Sequence, residues 1–185
     1  MPTIILLNGV GSAGKSSIAN ALQSITQQPF LHVEMDAFLE MMPTKYLNHP
    51  DGLHFEAEGT MIKVDPGNIA KRALKGMRRA VGALADAGNN LIVDEVIFGN
   101  TNHGASNPLA EYQALLKPYS FHLVGVFAEL EVLERRECAR GDRRIGLAKW
   151  QYTRVHERMN YDLSVHTDRV SALECAEHIK LRFNL

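Results

Sequence analysis

Residues 8–17 read NGVGSAGKSS, and the fold turns on which of two motifs they form. Gly9, Gly11 and Gly14 have the GxGxxG spacing of a dinucleotide-binding turn. Gly9, Gly14, Lys15 and Ser16 have the GxxxxGK-Ser/Thr spacing of a phosphate-binding P-loop. The flanks fit both. Residues 3–9, TIILLNG, are an apolar, β-branched run ending in turn chemistry, as a buried strand would be. After Lys15, Ile18, Leu22 and Ile25 recur at helical spacing.

Lys15 and Ser16 separate the readings. In a P-loop, the amides around Gly9, Gly11, Ser12, Ala13 and Gly14 cradle phosphate oxygens, a lysine brings a charge to the outer phosphates, and a hydroxyl ligates Mg2+. A dinucleotide turn needs neither side chain and uses an acid about twenty residues later, a place Glu34 or Asp36 would suit. Lys15-Ser16 favours the triphosphate.

The rest of the chain sets the class. Its 185 residues are 45% hydrophobic and 22% charged with net charge −1, which predicts one domain spanning 1–185 and excludes a global basic field for nucleic acid or an anionic membrane. Cys138 and Cys175 fall in helical sequence and read as small buried apolar residues, not a disulfide scaffold. The N-terminal apolar run is too short to span a bilayer and lacks a basic flank, so a cytoplasmic location is expected.

Strands are expected at FLHVEM (30–35), LIVDEVIFGN (91–100), FHLVGVFA (121–128) and DLSVHT (162–167). A helix is expected through Ile69, Met77 and Leu84, closed at Gly88, and another behind a capping box at Ser171–Glu174. The pattern predicts an α/β fold with a five-stranded parallel sheet between helices and ligands at the strand carboxyl ends. Residues 44–67, rich in Gly, Pro, Asn, His and Asp, read as a long loop or small lid.

Three groups carry candidate chemistry. Asp94 ends LIVD, where it would bind Mg2+ through water or be satisfied by backbone amides; Glu95 points to the opposite face. Arg136, Arg140 and Arg143 share a helical face that would clamp a phosphate chain, or form a solvated face paired with Glu134, Glu137 and Asp142. Asp36 would accept the proton of an attacking hydroxyl or cap the following helix.

LNGVGSAGKSS, MDAFLEMMP, IVDEVIFGN and ARGDRRIGLAKWQYTRVHERMNYDLSVHT, in that order, resemble the chloramphenicol phosphotransferases. The resemblance covers most of the chain and implies a P-loop kinase with a helical lid, ATP as donor, and the primary hydroxyl of chloramphenicol as acceptor. It implies Asp36 as base, the arginines from Arg136 to Arg143 (a lid region over 129–158) above the phosphates, and Lys15, Ser16 and Ser17 at the donor site. A kinase of another metabolite, such as a sugar acid, and a nucleotide-binding module without an acceptor are the alternatives. The sequence has no Asn-Lys pair, so the base-reading segment of a GTPase switch is absent. The expected partner is a small-molecule hydroxyl compound.

Overall fold

Thr3–Gly9 forms β1, in which Ile4, Ile5, Leu6 and Leu7 are all fully buried. Such a run without polar alternation requires cover on both faces. In the computed structural model, which describes residues 1–99, 107–141 and 144–185, both covers are helical. Ile5 and Leu7 share a core with Ile18 and Leu22 of α1 (Lys15–Ile25) and Ile179 of α7 (Ala172–Phe183). Ile4 and Leu6 share one with Met77 and Val81 of α3 (Asn68–Asp86) and Tyr112 of α4 (Pro108–Leu115).

The remaining strands of the sheet are β2 (Phe30–Glu34), β5 (Asn90–Glu95), β6 (Ser120–Phe127) and β7 (Leu163–His166). All pairs are parallel, in the order β2-β5-β1-β6-β7. The chain leaves β1 on one side for β2 and β5 and later returns on its other side as β6. That reversal opens a crevice at the carboxyl end of β1, where open α/β sheets bind ligands.

The expected strands are present with shifted ends. β2 stops at Glu34 because α2 (Met35–Glu40) starts immediately, and β5 stops at Glu95. α3 closes as expected, with Gly88 at φ 93° and the Asn89 amide donating to Leu84 O. Ser171 and Glu174 form the capping box of α7.

Two expectations are corrected. Residues 44–67 are not an irregular loop: after a short 3-10 turn, β3 (Leu53–Glu58) and β4 (Met61–Pro66) form an antiparallel hairpin. Gly59, at φ 62°, makes the tight turn. Cys175 is buried, but Cys138 is exposed, because it lies on the outer face of α5 (Leu130–Arg140) while Leu133 and Glu137 face inward. After α5 comes α6 (Leu147–Tyr152), whose N-terminal turn touches the hairpin where Ile62 N donates to Gly146 O.

Candidate active site

Gly9 to Lys15 pass from β1 to α1 in a turn that only small residues allow. A side chain at Gly9 would put its Cβ 2.5 Å from Val126 O, and Gly14 stands at φ 93°. Ser12 also has positive φ, 66°. Gly14 is the N-cap of α1 and supplies no capping side chain, so the helix presents its N-terminal amides to the crevice, an anion site by geometry. Lys15, largely buried, curls back to donate to Gly9 O (2.9 Å) and Val10 O (3.2 Å). Its Nζ lies 3.5 Å from Asp94 Oδ1.

Across the crevice, β5 supplies Asp94 in register with Glu34 of β2. Ser16 Oγ donates to Asp94 Oδ2 at 2.7 Å. A hydroxyl and a buried carboxylate side by side are a donor set that suits Mg2+, an oxygen-seeking ion. The next residue, Glu95, points to the other face, as the pleat requires. There it binds Arg78 Nη2 (2.7 Å) and accepts from Tyr112 Oη (2.7 Å). Burial and the adjacent Glu95 charge push the Tyr112 hydroxyl well up, so it remains a donor. Glu95 belongs to the core and not to the crevice.

Asp36 is the second residue of α2 and borders a cavity of about 220 Å³ together with Lys15, Ser16, Ser17, Glu34 and Asp94. Glu34, not Asp36, occupies the N-cap position, so the capping reading of Asp36 is set aside. Apolar residues line the same cavity: Leu53 and Phe55 of β3, Val64 and Pro66 of β4, and Leu39 of α2. The Arg144 guanidinium lies 4.4 Å from the centre of the Phe55 ring.

The arginines divide. Arg136 donates to Thr167 Oγ1 (2.9 Å) and Thr167 O (2.8 Å), with a longer contact to Ser12 O (3.5 Å). Thr167 Oγ1 donates in turn to Ala13 O (2.7 Å). Arg136 therefore ties the P-loop to the end of β7 and borders a shallow cleft that Ser12, Gly14, Ser17 and Ala172 share. Arg140 borders both this cleft and the main cavity. Arg143 lies outside the described residues. Glu137 is not part of a solvated face: it is buried and accepts from Gly146 N and Ala148 N, each at 2.7 Å.

Residues not expected at the site include Gln151, whose Oε1 accepts from the Gly11 amide at 2.7 Å, and Thr167. Thr167 follows the carboxyl end of a parallel strand, a position that does point to a site. Gln151 carries no such signal. Behind the loop, Asn8 is fully buried. It accepts from Ile97 N (2.7 Å) and donates to Ile97 O (3.1 Å) and Tyr161 Oη (3.0 Å).

Strand order, P-loop and lysine define a P-loop enzyme of the kinase type. Comparison with known proteins agrees. Residues 2–184 match the family model described as chloramphenicol phosphotransferase-like protein. The chain belongs to that family. A protein of Mycobacterium tuberculosis, present in two strains and named provisionally as an O-phosphotransferase, is 31% identical over 185 residues, 95% of this chain and 80% of the relative. Among solved structures, the Deinococcus radiodurans tunicamycin resistance protein superposes with a TM-score of 0.66 at 19% identity, covering 100% of this chain and 97% of the other. The M. tuberculosis APS kinase in complex with AMPPNP and APS gives 0.64 at 15% identity, covering 100% and 98%. At these identities the two structures support the fold. Among the described residues, no helix is long and apolar enough to cross a membrane.

Proposed function

We propose that the chain, as one kinase domain over 1–185, transfers the terminal phosphate of ATP to a hydroxyl of an apolar small molecule, chloramphenicol or a related compound. The observation that carries this reading is a single cavity lined by two unlike sets of residues. Lys15, Ser16 and Asp94 are joined to one another beside the N-terminus of α1, and Asp36 and the apolar residues of the hairpin line the same cavity.

The loop amides and Lys15 hold the donor phosphates, and Lys15 exchanges its two carbonyl contacts for phosphate oxygens. Ser16 and Asp94 are the residues that hold Mg2+, which when bound neutralises charge on the phosphate chain. Arg140, between the main cavity and the shallow cleft, and Arg136 and Arg143 on the same α5-to-α6 segment stabilise charge that develops during transfer; 129–158 acts as the lid. The acceptor oxygen bonds to the terminal phosphorus as the bond to the bridging oxygen breaks, ADP leaves, and the acceptor proton passes to Asp36. Residues 44–67 seat the acceptor: Leu53, Phe55, Val64 and Pro66 offer apolar surface that would favour a ring-bearing alcohol. The bound AMPPNP of the APS kinase supports the nucleotide half, and the kinase neighbours support a small-molecule acceptor.

The test is mass spectrometry of chloramphenicol after incubation with the protein, ATP and Mg2+, beside a panel of apolar alcohols and sugar acids. A gain of one phosphoryl group on chloramphenicol or another apolar alcohol is expected. Transfer confined to sugar acids would overturn the apolar-acceptor reading, and ATP binding without transfer to any hydroxyl compound would overturn the phosphotransferase reading.

A further inference from the structure

His32 and Glu34 are two residues apart on β2, so both side chains leave the same face of the strand. Glu34 is in register with Asp94 of β5, which brings a second carboxylate and a third ligand to that face. One donor atom from each of His32, Glu34 and Asp94 lies within 4.8 Å of the others. His32 Nε2 faces Glu34 Oε1 at 3.7 Å. That nitrogen is buried and has no hydrogen-bond partner. A buried polar atom left unsatisfied calls for an explanation, and a bound ion is one of the ordinary ones.

We propose that His32, Glu34 and Asp94 bind a divalent transition-metal ion of the Mn2+, Co2+ or Zn2+ class, at the carboxyl ends of β2 and β5. One imidazole and two carboxylates form a mixed nitrogen and oxygen set, and the imidazole disfavours Mg2+ and Ca2+. Donors on one ion at about 2.1 Å stand roughly 3–3.5 Å apart, so the trio must contract modestly. Glu34, with 43% of its side chain exposed, has the room to do so. Asp94 already accepts from Ser16 and faces Lys15 at 3.5 Å. A carboxylate has about four lone-pair sites, so these contacts leave it capacity for a third partner. The Lys15 charge opposes the cation, while the two carboxylates together outweigh it.

The trio does not include Ser16, whose contact with Asp94 marks the place proposed for the donor's Mg2+. Its occupation would clip β2 to β5 two residues before Asp36, fixing the start of α2. It does not depend on phosphoryl transfer and is read without nucleotide or acceptor.

The experiment is an Mn2+ titration of the nucleotide-free full chain followed by electron paramagnetic resonance, with pulsed detection of nitrogen coupling. One saturable Mn2+ with imidazole nitrogen coupling is expected, displaced by Mg2+ only at tenfold or greater excess. His32→Ala should remove the coupling and weaken binding at least tenfold. Glu34→Gln, on the exposed rim, should weaken binding without altering the fold by circular dichroism. Ser16→Ala should retain the coupling. Absence of saturable binding below millimolar Mn2+ would overturn the proposal. So would nitrogen coupling unchanged in His32→Ala, or binding lost in Ser16→Ala alone.

Discussion

Ser16 Oγ donates a 2.7 Å hydrogen bond to Asp94 Oδ2, joining the first turn of α1 to the carboxyl end of β5. Two elements 78 residues apart in sequence thus place their oxygens at one point. If that point is where Mg2+ is held, Ser16→Ala and Asp94→Asn should each raise the Mg2+ concentration for half-maximal turnover, about tenfold, an effect on the order of 1–2 kcal/mol. Because the two residues serve one ion, the double variant should lose less than the product of the single losses. Turnover measured against free Mg2+ at saturating ATP provides the check; independent, multiplicative losses would count against a shared ion.

Asp36 lines the same cavity as Lys15, Ser16 and Asp94 and the apolar residues Phe55 and Val64 of the hairpin. Asp36→Asn keeps the shape of the side chain and removes its basicity. A loss in kcat on the order of 10²–10⁴ is expected, with the Kd for ATP, measured by calorimetry, changed less than twofold. Near-normal turnover would remove Asp36 from the role of base. A large loss of ATP affinity would instead place it with the donor.

Arg136 makes its contacts to Thr167 and Ser12, so its deletion should be felt in the fold as well as in the reaction. Arg136→Ala strands the Thr167 carbonyl and loosens the loop, at a cost of about 1–3 kcal/mol. Thr167→Val removes the hydroxyl that Arg136 and Ala13 share. Denaturant unfolding of the two single variants and the double should show coupling of at least about 0.5 kcal/mol. Additive losses would mean that the Arg136 bond to the Thr167 hydroxyl contributes nothing to stability.

The sequence made the P-loop side of the cavity legible and the hairpin side much less so. β1, the loop and α1 follow from local signals: an apolar run, glycines and a helical period. The opposite directions of Asp94 and Glu95 follow from the pleat alone, and Arg78 and Tyr112 receive Glu95 on the far side. The hairpin was obscured because Gly, Pro, Asn and His surround it. Its own alternation, Leu53, Phe55 and Ala57 against Ile62 and Val64, is short, half-buried at four positions and exposed at Ala57. Glu137 and Gln151 were not legible because tertiary packing sets their roles. Glu137 accepts two amides beyond the end of its helix, of Gly146 and Ala148, and Gln151 accepts the Gly11 amide from 140 residues away.

The burial of His156 gives the fold a pH dependence whose sign follows from the lowered imidazole. Its ring stacks on Phe127 with centroids 3.9 Å apart, and Nδ1 lies 2.7 Å from Tyr161 Oη. Burial, reinforced by the charges of Lys15 and His166, pulls the imidazole down to about 4. Burial pushes the Tyr161 hydroxyl up to about 12, so it is protonated across the accessible range. In the unfolded chain a histidine titrates near 6.5. Between pH 6.5 and 4 the unfolded state therefore binds a proton that the folded state refuses, and stability rises with pH through that window. As pH falls from 6.5 towards 4 the folded state loses stability, with a slope from this group of at most one proton. His156→Gln, which can still pair with Tyr161, should flatten the decline. Urea unfolding midpoints at pH 7, 6 and 5 provide the comparison. Equal slopes in wild type and variant would mean that His156 is not the group refusing the proton.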